Sequence, residues 1–243
     1  MNMIFAFSKF SLGRLMHNAR YLIFVLGLPV GFYELYAHMY GTATPFAHTS
    51  WGVYFMMSMV AFGAVGTTLN VTGTQTALDR AGGWVRHLKV TPVPVWAYLA
   101  GQVVTAMVAS LAVVMIIILV GLLSGGVSWR LPLAEAALAI WLGSLAYAAL
   151  GLALAHWLDA TLINYGIILV YLGSGMLGGL WTPLKYLPPV FTSIARAIPS
   201  YRMADMAWHL VAGRTLPGGD VAVLAAYVAG FGLLGGILYV RRN

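Results

Sequence analysis

Six apolar runs, each long enough to cross a bilayer, dominate this 243-residue chain. They lie at about Tyr21–Tyr40, Trp51–Thr72, Trp96–Leu123, Pro132–Ala155, Thr161–Trp181 and Val221–Val240. A hydrocarbon core about 30 Å thick calls for about 20 residues of helix, at about 1.5 Å of rise each, and every run meets that length. Hydrophobic residues make up 61% of the chain and charged residues 8%, with a mean hydropathy of +0.87. Soluble domains carry roughly 25% charged residues. The runs fill more than half of the sequence, which leaves no room for a soluble domain. The reading is an all-α membrane protein: a single transmembrane domain over residues 1–243, with six transmembrane helices.

The net charge of +7 is distributed by side. If the helices alternate in direction, Lys9, Arg14, Arg20, Arg80, Arg86, Lys89, Arg241 and Arg242 share one side, while Arg130, Lys185, Arg196, Arg202 and Arg214 fall on the other. Short loops weigh most in the positive-inside rule, so both termini and the 73–95 loop are placed in the cytoplasm of a multi-pass protein of a bacterial inner or plasma membrane. Basicity here follows topology, and no nucleic-acid partner is expected. The first run is too long for a signal-peptide core and reads as a retained helix. The absence of cysteine excludes disulfides and thiolate metal sites.

Along the chain, residues 1–20 form a candidate interfacial helix, with Ile4, Phe5, Leu12, Leu15, Met16 and Ala19 within a third of the helical wheel. The first span carries Pro29 and an intramembrane acid, Glu34, with His38 one turn on along the same face. The second ends in Thr68, Thr72 and Gln75, spaced as a polar stripe leading to Asp79. The fifth is glycine-rich, with Gly166, Gly173, Gly175, Gly178 and Gly179 suited to close helix or subunit contact. The 182–220 loop holds Pro183, Pro188, Pro189, Pro199 and Pro217. It has one apolar face in Val190, Phe191, Ile194, Ala195 and Ile198, and another in Met203, Met206, Ala207 and Leu210. Two short amphipathic helices broken by a proline, dipping into the outer membrane surface, suit that pattern.

Several chemistries fail on the residues. Leu172-Gly173-Ser174-Gly175 resembles a rhomboid Gly-x-Ser-Gly nucleophile, but the sixth helix offers no histidine base, so Ser174 reads as a helix-packing hydrogen-bond group. The histidines are scattered without a His-Glu-x-x-His, and no metal site is expected. No lysine follows glycine in a phosphate-loop pattern, so the chain binds no nucleotide of its own. A short charged island stands out instead: Asp79-Arg80, a Gly82-Gly83 break, Trp84, Arg86, Leu88 and Lys89, then Thr91-Pro92 and Pro94 before the third span. A short helix along the membrane, projecting aromatic and basic groups, fits a groove on a soluble partner.

This island resembles the coupling-helix region of permease subunits in type-2 ATP-binding-cassette exporters, which carry an acid and a base, a glycine, a bulky residue, a leucine and Thr-Pro or Ser-Pro before the third helix. Asp79 stands where glutamate is more usual, and Gln102 follows Gly101 where a base is common. The stretch Gly179-Leu180-Trp181-Thr182-Pro183, followed by Leu187-Pro188 and Pro199, is similar to the family's loop and re-entrant helices between helices five and six. The resemblance implies a permease that dimerises with an identical or related chain around a pathway. Two copies of a separate ATPase subunit would hold the ATP and Mg and push on Asp79, Arg80, Gly82, Gly83, Trp84, Arg86, Leu88 and Pro92. Glu34, His38, Thr68, Thr72, Gln75, Gly173, Gly175, Gly179, Pro183 and Pro188 are the pathway or dimer candidates. A gradient-driven transporter or channel using Glu34 is the competing reading, and a non-transporting assembly or enzyme subunit is the third.

Overall fold

The structure, a computed structural model, describes residues 23–83, 95–124 and 127–242. The interfacial helix expected over 1–20 lies outside them, as does the start of the first span. The first described element is a π turn, Ile23–Gly27, which runs into α1 (Leu28–Tyr40). Pro29 supplies no N–H to the preceding turn, and the widened winding falls at that point. A two-residue hairpin follows, β1 (Pro45–Phe46) against β2 (Thr49–Ser50), with Pro45 opposite Ser50 and Phe46 opposite Thr49. Its turn residues, Ala47 and His48, both hold positive φ, at 47° and 66°. That conformation closes a tight hairpin, though Asn-Gly pairs are its usual occupants.

The centre of the molecule is one long helix with a change of winding inside it. α2 (Trp51–Leu69) continues through a π segment, Asn70–Gln75, into α3 (Thr76–Ala81). The whole runs 31 residues, about 46 Å at about 1.5 Å per residue, so it outreaches the hydrocarbon. The loop expected from residue 73 therefore begins only at Gly82: Val71, Thr72, Gly73, Thr74, Thr76 and Ala77 are buried helix. Threonine hydroxyls turn back onto the helix above the π segment, Thr67 onto the Gly63 carbonyl at 2.8 Å, Thr68 onto Ala64 at 2.9 Å and Thr72 onto Thr68 at 2.7 Å. Such bonds loosen the α ladder.

Every residue of α2 except Val53 is buried. A helix apolar all round needs neighbours all round, and α1, α4 (Val95–Leu123), α6 (Leu145–Trp157), α7 (Ile163–Leu177) and α9 (Pro199–Val211) supply them. Glycines set the closeness. A methyl group on Gly63 would strike Ile117 and Val113, on Gly66 the Tyr171 ring, and on Gly73 the Ile167 side chain.

The fourth expected span runs from Leu131 to Trp157 as one helix whose winding is irregular at a single residue. α5 (Leu131–Gly143) and α6 meet at Ser144, whose N–H divides between the carbonyls of Ile140 and Trp141. Its Oγ donates to Trp141 at 2.6 Å, and the Trp141 indole donates to the Met107 carbonyl at 2.8 Å. After α7 come a 3-10 turn (Leu184–Tyr186), α8 (Pro189–Arg196), α9 and α10 (Gly218–Arg242). The expected pair of short helices is present, with Pro199 in the first turn of α9. α9 buries Met203, Ala204, Met206, Ala207 and Trp208, whereas α8 buries only Ala195 and leaves Val190 and Ile194 exposed.

Among the described residues, four helices are long and apolar enough to cross a membrane: Trp51–Ala81, Ala97–Leu123, Leu131–Trp157 and Gly218–Tyr239. Ile163–Leu177 is a shorter apolar helix. Burial separates the extremes: 94% of the central helix's apolar window is covered by protein, against 11% for α10.

Candidate functional site

The last turn of the central helix is fastened to two neighbours. The Asp79 carboxylate accepts from the Tyr98 hydroxyl at 3.0 Å and from Gln102 Nε2 at 3.1 Å. Gln102 also donates to Tyr98 at 3.0 Å, one turn back on α4. Tyr98 and Gln102 are both buried, so Asp79 meets a pre-set pair of donors. Hydrogen bonds to a charged acceptor of this kind contribute about 1.5–3 kcal/mol each. On the opposite side, the Arg80 guanidinium donates to the carbonyl of Ala155 at the end of α6. One acid and one base, adjacent in sequence, thus bind α3 to α4 and α6. The helix stops at Gly82, whose N–H reaches the Leu78 carbonyl at 2.9 Å, and Gly83 turns the chain away with φ of +77°. That φ favours glycine, the one residue without a Cβ to clash. Trp84, Arg86, Leu88 and Pro92 lie outside the described residues.

The other candidates take separate places. Glu34 accepts from the Ser124 hydroxyl just past the end of α4, and its backbone carbonyl lies 2.9 Å from His38 Nδ1. The Glu34 carboxylate is 3.9 Å from that nitrogen, and His38 is largely exposed. Thr68 and Thr72 are buried with their hydroxyls on their own helix, and Gln75 is half-buried. The fifth-span glycines divide. Gly175 packs under Trp181 and Phe62, and Gly178 under Ser200, whereas Gly173 has open space beside it. Gly179 holds φ of +71° against Leu184. Pro183 and Pro188 lead into the 3-10 turn and α8. Asp79 and Arg80 together tie α3 to α4 and α6 through their side chains.

A family model for the ABC-2 type transporter matches residues 4–209. The chain belongs to the ABC-2 type transporter family. It is 26% identical over 247 residues to the Bacillus subtilis (strain 168) protein named "Putative transport permease YvfS", with 100% of this chain and 98% of that one aligned. The chain is accordingly a membrane permease subunit of an ABC transporter and a multi-pass membrane protein.

Within this ABC-2 permease, sequence reasoning missed Tyr98 and Ala155 and treated Gln102 only as a departure from the family. A signal was there: an amide at 102 in an otherwise apolar helix needs a buried partner, and Tyr98 lies one turn away on the same face. A second network was partly expected. Tyr147 donates to Ser174 Oγ at 2.9 Å, and the backbone N–H of Ser200 donates to Tyr147 at 3.1 Å. Ser200 Oγ donates to the Ser174 carbonyl at 2.9 Å. This buried hub ties the first turn of α9 to α6 and α7.

The permease also buries acids at the end of the molecule away from Asp79. Arg202 donates to Asp220 at 2.6 Å. Asp205, one turn along α9, has Asp220 within hydrogen-bonding reach, His209 Nδ1 at 3.5 Å and Tyr201 beside it. Burial first, then the contact with Asp220, pushes the Asp205 carboxyl up from 3.8 to about 6. A folded value above the unfolded one means that the native state holds this proton more tightly. The stability contributed is complete below the unfolded value and is lost as pH rises through about 6. Thermal unfolding scans in detergent will therefore show wild-type protein losing stability between about pH 4 and pH 6 relative to Asp205→Asn. Parallel curves for the two proteins would contradict this assignment.

Proposed function

We propose that this subunit passes motion from a separate ATPase into the membrane through the segment Asp79–Leu88. The observation that carries the reading is the fastening of α3 to α4 by Asp79 and to α6 by Arg80. A force applied just beyond Gly83 meets three helices held as one body, so it moves the bundle end instead of bending a loop. The central helix is buried along its length, which supports transmission toward the far end. Two permease chains, identical or related, enclose the pathway in six spans each. Two ATPase copies hold ATP and Mg below them, and both termini lie in the cytoplasm of a cell membrane, with cargo moving outward. Glu34, held by Ser124, serves helix packing in this reading and not a proton path.

Affinity purification of the tagged chain from native membranes in mild detergent, with mass spectrometry, tests the reading. The expected result is an ATPase subunit in about equal amount, retained by wild type and lost on replacement of Gly82, Trp84 or Leu88. For Asp79→Ala, the ATPase remains bound and hydrolyses ATP while transport stops, because the docking surface survives and its anchorage does not. Recovery of the chain with no ATPase, or full transport by Asp79→Ala, overturns the proposal. The first outcome transfers the role to a gradient and to Glu34.

A further inference from the structure

At the end opposite Asp79, α9, the hairpin turn and the 3-10 turn enclose a cleft of about 270 Å³. A second cavity of about 610 Å³ adjoins it, and His48 and Ala212 line both. One wall of the cleft is aromatic. Tyr54 stacks on Trp208 at 4.6 Å, and Phe46 meets Tyr54 edge-on at 4.7 Å. The Trp208 indole is committed to Ser58 and the Tyr54 carbonyl, which leaves a rigid apolar floor.

The polar lining is unusual for its side. Under the topology that the positive-inside rule gives, bases are disfavoured here, yet Arg130, Lys185, Arg196, Arg202 and Arg214 all lie on this side. Arg202 is committed to Asp220. Of the rest, Lys185 and Arg214 line the aromatic cleft and Arg130 the adjoining cavity. The single acid on the lining, Asp205, already has His209 at 3.5 Å. A ligand cation would seek aromatic faces, but at the Phe46 face of the cleft it would meet Lys185 Nζ, which sits 3.8 Å above that ring and 4.7 Å from Tyr186. His48, which joins the two cavities, is held in place by a turn in which it has positive φ.

We propose that this cleft binds an anionic amphiphile, its acidic group among Lys185, Arg214 and His48 and its apolar body on Tyr54 and Trp208. The inference goes beyond the coupling reading and does not depend on it, since the cleft is complete in the permease alone. The acidic group belongs either to a lipid of the surrounding bilayer or to a molecule arriving from water, and the chemistry that holds it is the same.

The test is calorimetric titration of the full-length permease, in phosphatidylcholine nanodiscs, with octyl phosphate and with octyltrimethylammonium as its cationic counterpart. Saturable binding of octyl phosphate is expected, about tenfold weaker in Lys185→Gln/Arg214→Gln, with none of the cation. Lys185 and Arg214 are exposed, so the variant keeps the fold, as an unchanged unfolding temperature will show. Equal binding of both probes, or octyl phosphate binding untouched by the double variant, overturns the proposal. Repeating the titration with phosphatidylglycerol in the disc separates the two sources. Competition identifies a lipid headgroup as the occupant, and undiminished affinity identifies a ligand from the aqueous phase; either result upholds the site.

Discussion

Arg202→Ala will cost the folded permease about 3–5 kcal/mol, the usual penalty when one member of a buried ion pair is removed. The Arg202 guanidinium sits 2.6 Å from Asp220 Oδ1, and its Nε donates to the Arg196 carbonyl at 2.7 Å. Asp220 is buried, and its second oxygen has no hydrogen-bond donor among the described residues. With Arg202 gone, a carboxylate stays out of water beside the carboxyl of Asp205. The pair joins α9 to the first turn of α10, so the loss falls on the docking of the last helix. Denaturant unfolding in mixed micelles measures it. Arg202→Met/Asp220→Met should recover most of the deficit, because the cost lies in the orphaned charge more than in the missing attraction. Wild-type stability in Arg202→Ala would mean that the pair contributes nothing.

Gly151→Val will cost about 3 kcal/mol, at the upper end of the range for overpacked cores. A Cβ at Gly151 overlaps the Thr72 hydroxyl and comes within 3.1 Å of the Gly73 nitrogen and 3.2 Å of the Leu69 carbonyl. Two of those three atoms are backbone, one in the π segment and one at the end of α2, and cannot rotate aside. The Thr72 hydroxyl must then leave the Thr68 carbonyl, which adds a buried polar group without its partner. Gly173→Ala is the matched control, with nothing within 4 Å of the new methyl group, and it should unfold as wild type does. A stable Gly151→Val protein would place α6 farther from the central helix than the structure has it.

Four of the six expected spans were legible among the described residues because bilayer thickness imposes a length that any apolar run must meet, and the two short helices around Pro199 were legible because proline marks a helix start. The acid–base pair at 79 and 80 stood out because charge is scarce in such a chain. Where the reading fell short, the reasons are physical. Gly73, Thr74 and Gln75 resemble the end of a span only if the helix faces lipid or water; inside a ring of protein, polarity does not stop a helix. The π segment is invisible to a search at a period of 3.6. The irregular winding at Ser144 rests on one common residue, and the hairpin turn uses Ala47-His48 in place of the glycine or asparagine that would have announced it. Glu34 and His38 share a face as expected, but the carboxylate turns to Ser124 across a gap of 90 residues, a contact that no local spacing contains.

The position of the central helix has a consequence for how the chain is made. Of the four helices long enough to span among the described residues, the one in the middle has the lowest mean hydropathy, with threonine and glycine through its second half. Partition from a translocation channel into lipid depends on side-chain hydrophobicity, segment by segment. This segment is the weakest candidate to enter alone, although it precedes the other three in the chain. The very apolar helix after it, Ala97–Leu123, packs along its length and is suited to draw it in. Biogenesis of the subunit is then a paired event, in which the helix that ends up innermost waits beside the channel until its neighbour has been synthesised.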